Sequence, residues 1–247
     1  MNAIIGRGNT AVIYEWEEGR VLKLFHPGYS KESVDREFKN ALAIDRMDFG
    51  KPKVYGTYCY REQWGILYEK AEGENLLDYL ARTVDLKNCA RYMAGLHKAI
   101  LRNKITDAED YRKFLRYHIE NISLSCAKIR EEALQILDRL PEGDTLCHGD
   151  FHPGNIIMAN DSVKVIDFMN LCRGNYLYDV ARTVFLVEYT PVREDAGERE
   201  SMLLLKKTLA DLYLLQMEVT RDMIQDYLSV IIAARIHECP GESTVFE

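Results

Sequence analysis

The sequence predicts an α+β fold, with a small β-rich lobe over residues 1–70 and a larger, mainly helical lobe over residues 71–247. Short segments rich in β-branched and aromatic residues dominate the first part, which is typical of strands. Longer segments with apolar residues at helical spacing dominate the second part, and the pattern changes near residues 70–73. With 247 residues, of which 47% are hydrophobic, the chain is long enough to bury a substantial core.

The predicted N-terminal lobe begins with a hairpin. Residues 10–16 and 21–25 are rich in β-branched and aromatic side chains, and an E-E-G turn separates the two runs. Because side chains alternate along a strand, Lys23 is predicted on the same face as Val21 and Phe25.

One helix is predicted inside this lobe. Ser30 is a suitable N-cap, and the helix runs to about Asp45. Its apolar positions are Val34, Phe38, Leu42 and Ile44. A further strand is predicted over residues 64–70.

Helices dominate the predicted C-terminal lobe. Their ranges are 76–81, 86–101, 111–140, 198–216 and 221–237. Strand character returns over residues 145–148, 156–158 and 163–166, and an A-N-D-S turn joins the last two strands.

Acidic residues are concentrated in the second lobe. The net charge of the chain is −7, but residues 1–70 carry 11 basic and 10 acidic side chains, so the acidic excess belongs to residues 71–247. Nucleic-acid binding needs a basic surface, and we therefore expect no nucleic-acid partner. Two explanations of the acidity stay open, a cationic small-molecule substrate and solvated helix faces.

The composition also argues against membrane insertion and cysteine-based sites. No apolar run approaches the roughly 18 residues that span a bilayer, and the N-terminus has no signal-peptide pattern, so we expect a cytoplasmic protein with no membrane partner. The 6 cysteines are scattered and include no C-x-x-C pair, which predicts free thiols rather than a zinc site or disulfides.

The densest group of polar residues is H-G-D-F-H-P-G-N at residues 148–155, followed by I-D-F at residues 166–168. Phosphoryl transfer needs a carboxylate that accepts the proton of an attacking hydroxyl, and oxygen ligands for Mg²⁺. Asp150 is the predicted base, and Asn155 and Asp167 are the predicted metal ligands. A lone H-G-D would be weak evidence, but the combined spacing is specific.

These motifs resemble the catalytic signature of the aminoglycoside phosphotransferase and choline kinase group, whose fold is similar to that of protein kinases. The resemblance extends from about residue 5 to residue 235 and implies transfer of the γ-phosphoryl group of ATP, or of GTP, to a hydroxyl of a small molecule. Gly149 and Met169 stand where protein kinases carry the Arg of H-R-D and the Gly of D-F-G. Both departures favour a small-molecule acceptor.

The expected nucleotide-binding residues lie in the first lobe. The run G-R-G-N-T-A-V-I at residues 6–13 follows the first strand, and Gly6 and Gly8 allow a backbone to approach phosphates and to adopt positive φ. Lys23 is placed to reach the α- and β-phosphates. Glu37 resembles the helix glutamate that orients this lysine.

Four more residues are expected to support the site. Glu69 and Ala71 lie in a segment that resembles the hinge, where backbone groups bind the base of the nucleotide. His148 and Asp179 resemble the pair that braces the catalytic loop through hydrogen bonds.

The second lobe contains two further histidines of interest, His97 and His152. His97 is expected to make a structural hydrogen bond. For His152, a structural role and contact with substrate or phosphate both stay open.

The acceptor is not specified by any motif. Residues 170–178 and 188–200 are predicted to face it, and acidic side chains there would suit a polycationic aminoglycoside. The alternatives are a metabolite kinase acting on an amino alcohol, amino acid or sugar, a protein kinase, and a nucleotide-binding regulatory module that transfers nothing. The choice between ATP and GTP and the oligomeric state also stay open.

Overall fold

The computed structural model describes residues 3–17, 19–159, 162–192 and 199–241. Two compact units make up the chain. The first contains the residues up to Glu74 together with Ile156–Asn170, and the second contains Asn75–Asn155 and Leu171–Glu247. The division predicted near residue 70 gives two continuous segments of chain. In the structure, however, residues 156–170 belong to the first unit. One hydrogen bond that holds them there runs from the Val165 N–H to the Gly50 carbonyl, at 2.9 Å.

Ten strands and eight helices are formed by the described residues. The strands are β1 (Ile4–Arg7), β2 (Ala11–Glu15), β3 (Arg20–Phe25), β4 (Val54–Tyr60), β5 (Gln63–Glu69), β6 (Glu74–Asn75), β7 (Thr145–Cys147), β8 (Ile156–Ala159), β9 (Ser162–Val165) and β10 (Cys172–Gly174). The helices are α1 (Lys31–Ile44), α2 (Leu76–Thr83), α3 (Leu86–Leu101), α4 (Tyr111–Glu120), α5 (Ala127–Leu137), α6 (Tyr176–Val184), α7 (Arg199–Met217) and α8 (Arg221–Glu238).

The first unit is built on an antiparallel sheet of five strands in the order β1–β2–β3–β5–β4. Strand β3 is central, so Lys23 lies between Ile13 of β2 and Ile66 of β5. Strand β4 was not predicted from the sequence. Its burial alternates along the strand, as an edge strand with one covered face requires.

Helix α1 covers this sheet. The Ser30 hydroxyl accepts the Ser33 N–H and caps the helix, as predicted. The buried positions are Val34, Glu37, Ala41 and Ile44. Leu42, one of the predicted apolar positions, is 51% exposed. The buried face of α1 is therefore rotated relative to the predicted apolar positions, and it includes Glu37.

The second unit is mainly helical. Helix α8 packs against α4, α5 and α6, and α3 packs against α7. Among the helices in the described ranges, none has the length and apolar composition to cross a membrane. The short strands β7 and β10 pair antiparallel, with Cys147 opposite Cys172.

One prediction about these elements was wrong, and one further strand was not predicted. The single helix predicted over residues 111–140 is two helices, α4 and α5, because Asn121 ends the first and a 3₁₀ turn at Leu124–Cys126 precedes the second. Strand β10 was missed because its three residues form a strand only through pairing with β7. Asn160 and Asp161 of the predicted A-N-D-S turn lie outside the described residues, as do residues 193–198 of the predicted acceptor-facing segment.

Candidate active site

Lys23 is the centre of a buried cluster of charges in the first unit. Its side chain is 9% exposed, and Nζ lies 2.8 Å from Oε1 of Glu37 and 2.8 Å from Oδ1 of Asp167. A second contact, of 3.0 Å, joins Nζ to Oε2 of Glu37. The ammonium group therefore donates to two carboxylates that lie 14 and 144 residues away in the sequence.

The two carboxylates keep Lys23 charged. Burial lowers the pKa of Lys23, but the charges of Asp167 and Glu37 outweigh it, and the pKa lies above its ordinary value. Burial and the nearby Asp167 charge raise the pKa of Glu37, and Lys23 opposes that rise. The result is a fixed positive charge of the kind that binds phosphate oxygens.

Tyr68 holds Glu37 from strand β5. Ile66 lies opposite Lys23 in the sheet, and Tyr68, two residues later, shares its face. The Tyr68 hydroxyl donates to Oε1 of Glu37 at 3.1 Å. Burial and the Glu37 charge raise the pKa of Tyr68 well above its ordinary value, so the phenol remains a donor. The motifs did not single out Tyr68, because only the sheet register shows its position.

The segment after β9 is held by side chains of the same unit. Asp167 has a φ of 68°, a left-handed conformation that Asp adopts more readily than most residues. Nδ2 of Asn40 donates to the carbonyls of Phe168 and Met169, at 3.0 and 3.3 Å. The Tyr29 hydroxyl donates to Sδ of Met169 at 2.9 Å. These contacts hold the backbone that carries Asp167.

The glycine-containing segment forms the turn from β1 to β2. Gly6 lies inside β1 rather than after it, and the Gly8 N–H donates to the Ala11 carbonyl at 2.9 Å. Neither Gly6 nor Gly8 adopts a positive φ, so the conformational freedom expected of them is not used. Their remaining advantage is the absence of a side chain beside the backbone.

The predicted hinge residues lie at and after the end of β5. The Glu69 N–H donates to the Lys53 carbonyl at 2.8 Å. The Glu69 side chain accepts from Nζ of Lys164 at 2.7 Å. The Glu69 N–H is therefore used within the sheet, and the predicted contacts of Glu69 and Ala71 with a nucleotide base stay a prediction.

In the second unit, Asp150 and Asn155 are joined by hydrogen bonds. Nδ2 of Asn155 donates to Oδ2 of Asp150 at 3.1 Å and to the Asp150 backbone carbonyl at 2.9 Å. The amide thus uses its donors within the loop, and Oδ1 is its acceptor oxygen. The Asp150 side chain is 27% exposed, so the oriented carboxylate is accessible from solvent.

His152 lies beside this carboxylate. Its Nδ1 accepts the Gly154 N–H at 3.1 Å, and its Nε2 lies 3.8 Å from Oδ2 of Asp150. The ring therefore has a structural hydrogen bond on one side and faces the predicted base on the other, so neither of the two roles left open for His152 is excluded.

Asp179 holds the backbone that precedes Asp150. Its Oδ2 accepts the His148 N–H at 2.7 Å, and its Oδ1 accepts the Gly149 N–H at 2.8 Å. Gly149 has a φ of 76°, a conformation that favours glycine. The Asp150 N–H donates to Nδ1 of His148 at 3.2 Å. The structure thus brings His148 and Asp179 together at the loop that carries Asp150.

His97 supports Asp179 from helix α3. Its Nε2 donates to Oδ2 of Asp179 at 2.9 Å, and its Nδ1 accepts the Tyr213 hydroxyl at 2.6 Å. Burial raises the pKa of Asp179, but the hydrogen bonds from His97 and Gly149 outweigh it, and the pKa lies below its ordinary value. The predicted structural hydrogen bond of His97 is confirmed, although the spacing showed neither partner.

Asn155 and Asp167 have donor atoms that suit a hard cation. Mg²⁺ prefers carboxylate and amide oxygens, and in phosphoryl transferases one or two such groups act together with the phosphates of the substrate. The Asp167 side chain is 30% exposed, so a cation can reach it. Within the described ranges, no three side chains of His, Cys, Asp or Glu form a metal-binding group.

Comparison with known proteins assigns the family. A sequence profile of the phosphotransferase enzyme family matches residues 4–207, which include all the predicted site residues. The chain belongs to this family. The family prediction made from the motifs is therefore confirmed. No curated protein sequence gives a significant match to the chain.

Solved structures of other phosphotransferases share the fold. A thermostable mutant of aminoglycoside phosphotransferase APH(4)-Ia, with ADP and hygromycin B, has a TM-score of 0.69 and 16% identity over 98% of this chain and 87% of that one. Amicoumacin kinase hAmiN, with AMP-PNP, Ca²⁺ and Ami, has a TM-score of 0.63 and 16% identity over 98% and 84%.

Aminoglycoside phosphotransferase APH(3'')-Id from Streptomyces rimosus, with ADP and streptomycin, has a TM-score of 0.63 and 15% identity over 90% of each chain. At these identities the similarity shows the fold alone. The predicted protein-kinase-like α+β fold is confirmed.

Proposed function

We propose that the protein transfers the γ-phosphoryl group of ATP, or of GTP, to a hydroxyl group of a small molecule. The observation that carries this proposal is the Lys23 ammonium, which donates to both Glu37 and Asp167. Phosphoryl transferases use such a lysine to bind nucleotide phosphates, and a carboxylate of this kind to bind the metal ion. Membership of the phosphotransferase enzyme family supports the same chemistry.

In this proposal the first unit binds the nucleotide. The backbone of Gly6 and Gly8 contacts the phosphates, and Lys23, oriented by Glu37, binds the α- and β-phosphates. Backbone groups of Glu69 and Ala71 bind the base. Asn155 and Asp167 would supply oxygen ligands for Mg²⁺, which would neutralise charge at the phosphates.

Asp150 is the proposed proton acceptor. Oδ2 is oriented by Asn155, and the backbone of the loop is held by Asp179 and His148. As the acceptor oxygen bonds to the γ-phosphorus, its proton passes to the Asp150 carboxylate, the β–γ bridging P–O bond breaks and the nucleoside diphosphate leaves. Most of the rate gain comes from positioning and charge stabilisation.

The proposed acceptor is a hydroxylated compound that carries amino groups. The acidic excess of residues 71–247 favours a cationic ligand. The similar structures include enzymes named as kinases of aminoglycosides and amicoumacin, two of them bound to hygromycin B or streptomycin. A metabolite that combines hydroxyl and amino groups has the same chemistry, and the experiment distinguishes the two sources.

The test is Mg²⁺-dependent release of ADP or GDP across a panel of aminoglycosides, amino alcohols, amino acids and sugars, with mass spectrometry of the products. We expect one acceptor class to gain a single phosphate, and Asp150→Ala to give none while still binding nucleotide. A wild-type protein that binds nucleotide but phosphorylates nothing would contradict the proposal and favour a nucleotide-binding regulatory module.

A further inference from the structure

Arg182 carries a buried positive charge in the second unit. It lies on α6 and is 2% exposed, with the rings of Phe114 and Phe185 each 5.8 Å from its Cζ. A charge in such a position must be paired, because removal from water is costly. Glu238, the last residue of α8, supplies the partner through contacts of 3.0 Å from Nη1 and 2.5 Å from Nη2.

The guanidinium also contacts the loop that carries Asp150. Nε of Arg182 donates to the Gly149 carbonyl oxygen at 3.3 Å. Asp179, which binds the Gly149 N–H, lies three residues before Arg182 and hence on the same face of α6. Gly149 is therefore held at both its N–H and its carbonyl by one helix, and that carbonyl belongs to the peptide that leads into Asp150.

We propose that the Arg182–Glu238 pair positions Asp150 by setting the orientation of the Gly149–Asp150 peptide. Glu238 binds both terminal nitrogens of the guanidinium, and this two-point contact fixes the plane of the group and so the direction of Nε. The proposal rests on the proposed role of Asp150 as proton acceptor. Arg182 and Glu238 act through the loop and are positioning residues.

Both partners are ionised in the folded protein. Burial raises the pKa of Glu238, but Arg182 and Arg235 outweigh it, so the pKa of the carboxyl lies below its ordinary value. Arg235 adds a contact of 3.2 Å to the same carboxylate. The titratable groups that neighbour this pair are the imidazoles of His118 and His237, whose Nδ1 atoms lie 3.0 Å apart.

The first measurement compares Arg182→Met, Glu238→Gln and the double variant. An unpaired buried charge is strongly destabilising, but the double variant removes both charges of this pair. It therefore separates the effect of losing the Gly149 contact from the effect of losing stability. We expect kcat to fall roughly 10- to 100-fold in Arg182→Met and in the double variant, with an unchanged KM for nucleotide, because small displacements of a reacting group are costly. Glu238→Gln retains the Gly149 contact and should lose less kcat.

The matched control is Arg112→Met. Arg112 also pairs with a buried carboxylate, Asp110, but no contact joins it to Gly149 or Asp150 in the described structure. We expect this variant to lose stability and to keep its kcat below the unfolding temperature. If kcat follows the melting temperature across all four variants, or if the double variant keeps wild-type kcat, the proposal is overturned.

A second measurement needs no substrate. We expect amide hydrogen exchange of Gly149 and Asp150 to be faster in the double variant than in Arg112→Met, with exchange in α3 and α7 unchanged. A wild-type protein without transfer activity would refute the proposed function but leave this exchange result interpretable. Unchanged exchange in an active double variant would refute the positioning role and leave the proposed function intact.

Discussion

Lys23 in the first unit and Asp150 in the second unit are held in place by different means. Lys23 is fixed by direct ion pairs, because Glu37 and Asp167 contact its ammonium. Asp150 is instead held mainly through its backbone, which the side chains of α6 and His148 bind, while a neutral amide orients its carboxylate.

The difference fits the roles proposed for Lys23 and Asp150. A lysine that binds phosphates must remain charged, and carboxylates in contact with it raise its pKa. A carboxylate that accepts a proton must remain basic, and a cation in direct contact would make it a weaker base. In the structure, Asp150 is positioned through its backbone and through the neutral amide of Asn155.

The largest expected effect separates the two groups by function. We expect Asp150→Asn to lower kcat by a factor of about 10² to 10⁴, the usual range for a lost general base, with nucleotide affinity unchanged. Lys23→Met should weaken nucleotide binding as well as transfer. Calorimetric titration with nucleotide, beside single-turnover rates, measures both quantities. Equal loss of nucleotide affinity in both variants would contradict the different roles proposed for Lys23 and Asp150.

The next effect concerns the support beneath the Asp150 loop. Asp179→Asn should lower the free energy of unfolding by about 3 kcal/mol, because a buried charge network loses one partner. The pKa of Asp179 in the folded protein lies below 3.8, so its contribution is complete above that pH and is lost as the pH falls through the lower folded value. Urea unfolding at pH 7 and at pH 3 to 4 should show the difference shrinking with acid; a constant difference would contradict it.

A smaller effect is expected at the Lys23 cluster. Glu37→Gln removes one of two counterions, and Lys23 should then be drawn toward Asp167. Since a hydrogen bond to a charged group contributes about 1.5 to 3 kcal/mol, we expect the nucleotide KM to rise roughly tenfold. Glu32→Gln, on the exposed face of α1, is the control and should leave KM unchanged.

The smallest effect tests Tyr68. Tyr68→Phe removes the hydrogen bond to Glu37 and should lower the free energy of unfolding by about 0.5 to 1.5 kcal/mol, with a minor rise in nucleotide KM. Tyr58→Phe is the control, since Tyr58 contacts the Trp16 ring by an edge-on aromatic packing that Phe preserves. The melting temperature of Tyr68→Phe should be lower than that of Tyr58→Phe. Identical melting temperatures would contradict a stabilising role of the Tyr68 hydrogen bond.

Local sequence patterns determined much of this protein. The candidate site residues within residues 148–155 and 166–168 were predicted from two short motifs. The members of each motif lie only a few residues apart, so their spacing along the chain limits how far apart they can be in space. Strand alternation then predicted Lys23 on the face of Val21 and Phe25, and the family resemblance singled out Glu37; the structure buries both charged side chains. The break between α4 and α5 escaped prediction because the same apolar periodicity continues on both sides of Asn121.

Only the tertiary structure decided which distant side chains meet. Tyr213 joins His97 across 116 residues, and Glu238 joins Arg182 across 56. Such contacts depend on how helices pack and how strands register, and a hydrogen bond needs its two atoms within about 3 Å. Residue type and spacing along the chain therefore predicted the candidate reactive groups, whereas three-dimensional packing selected the residues that hold them in place.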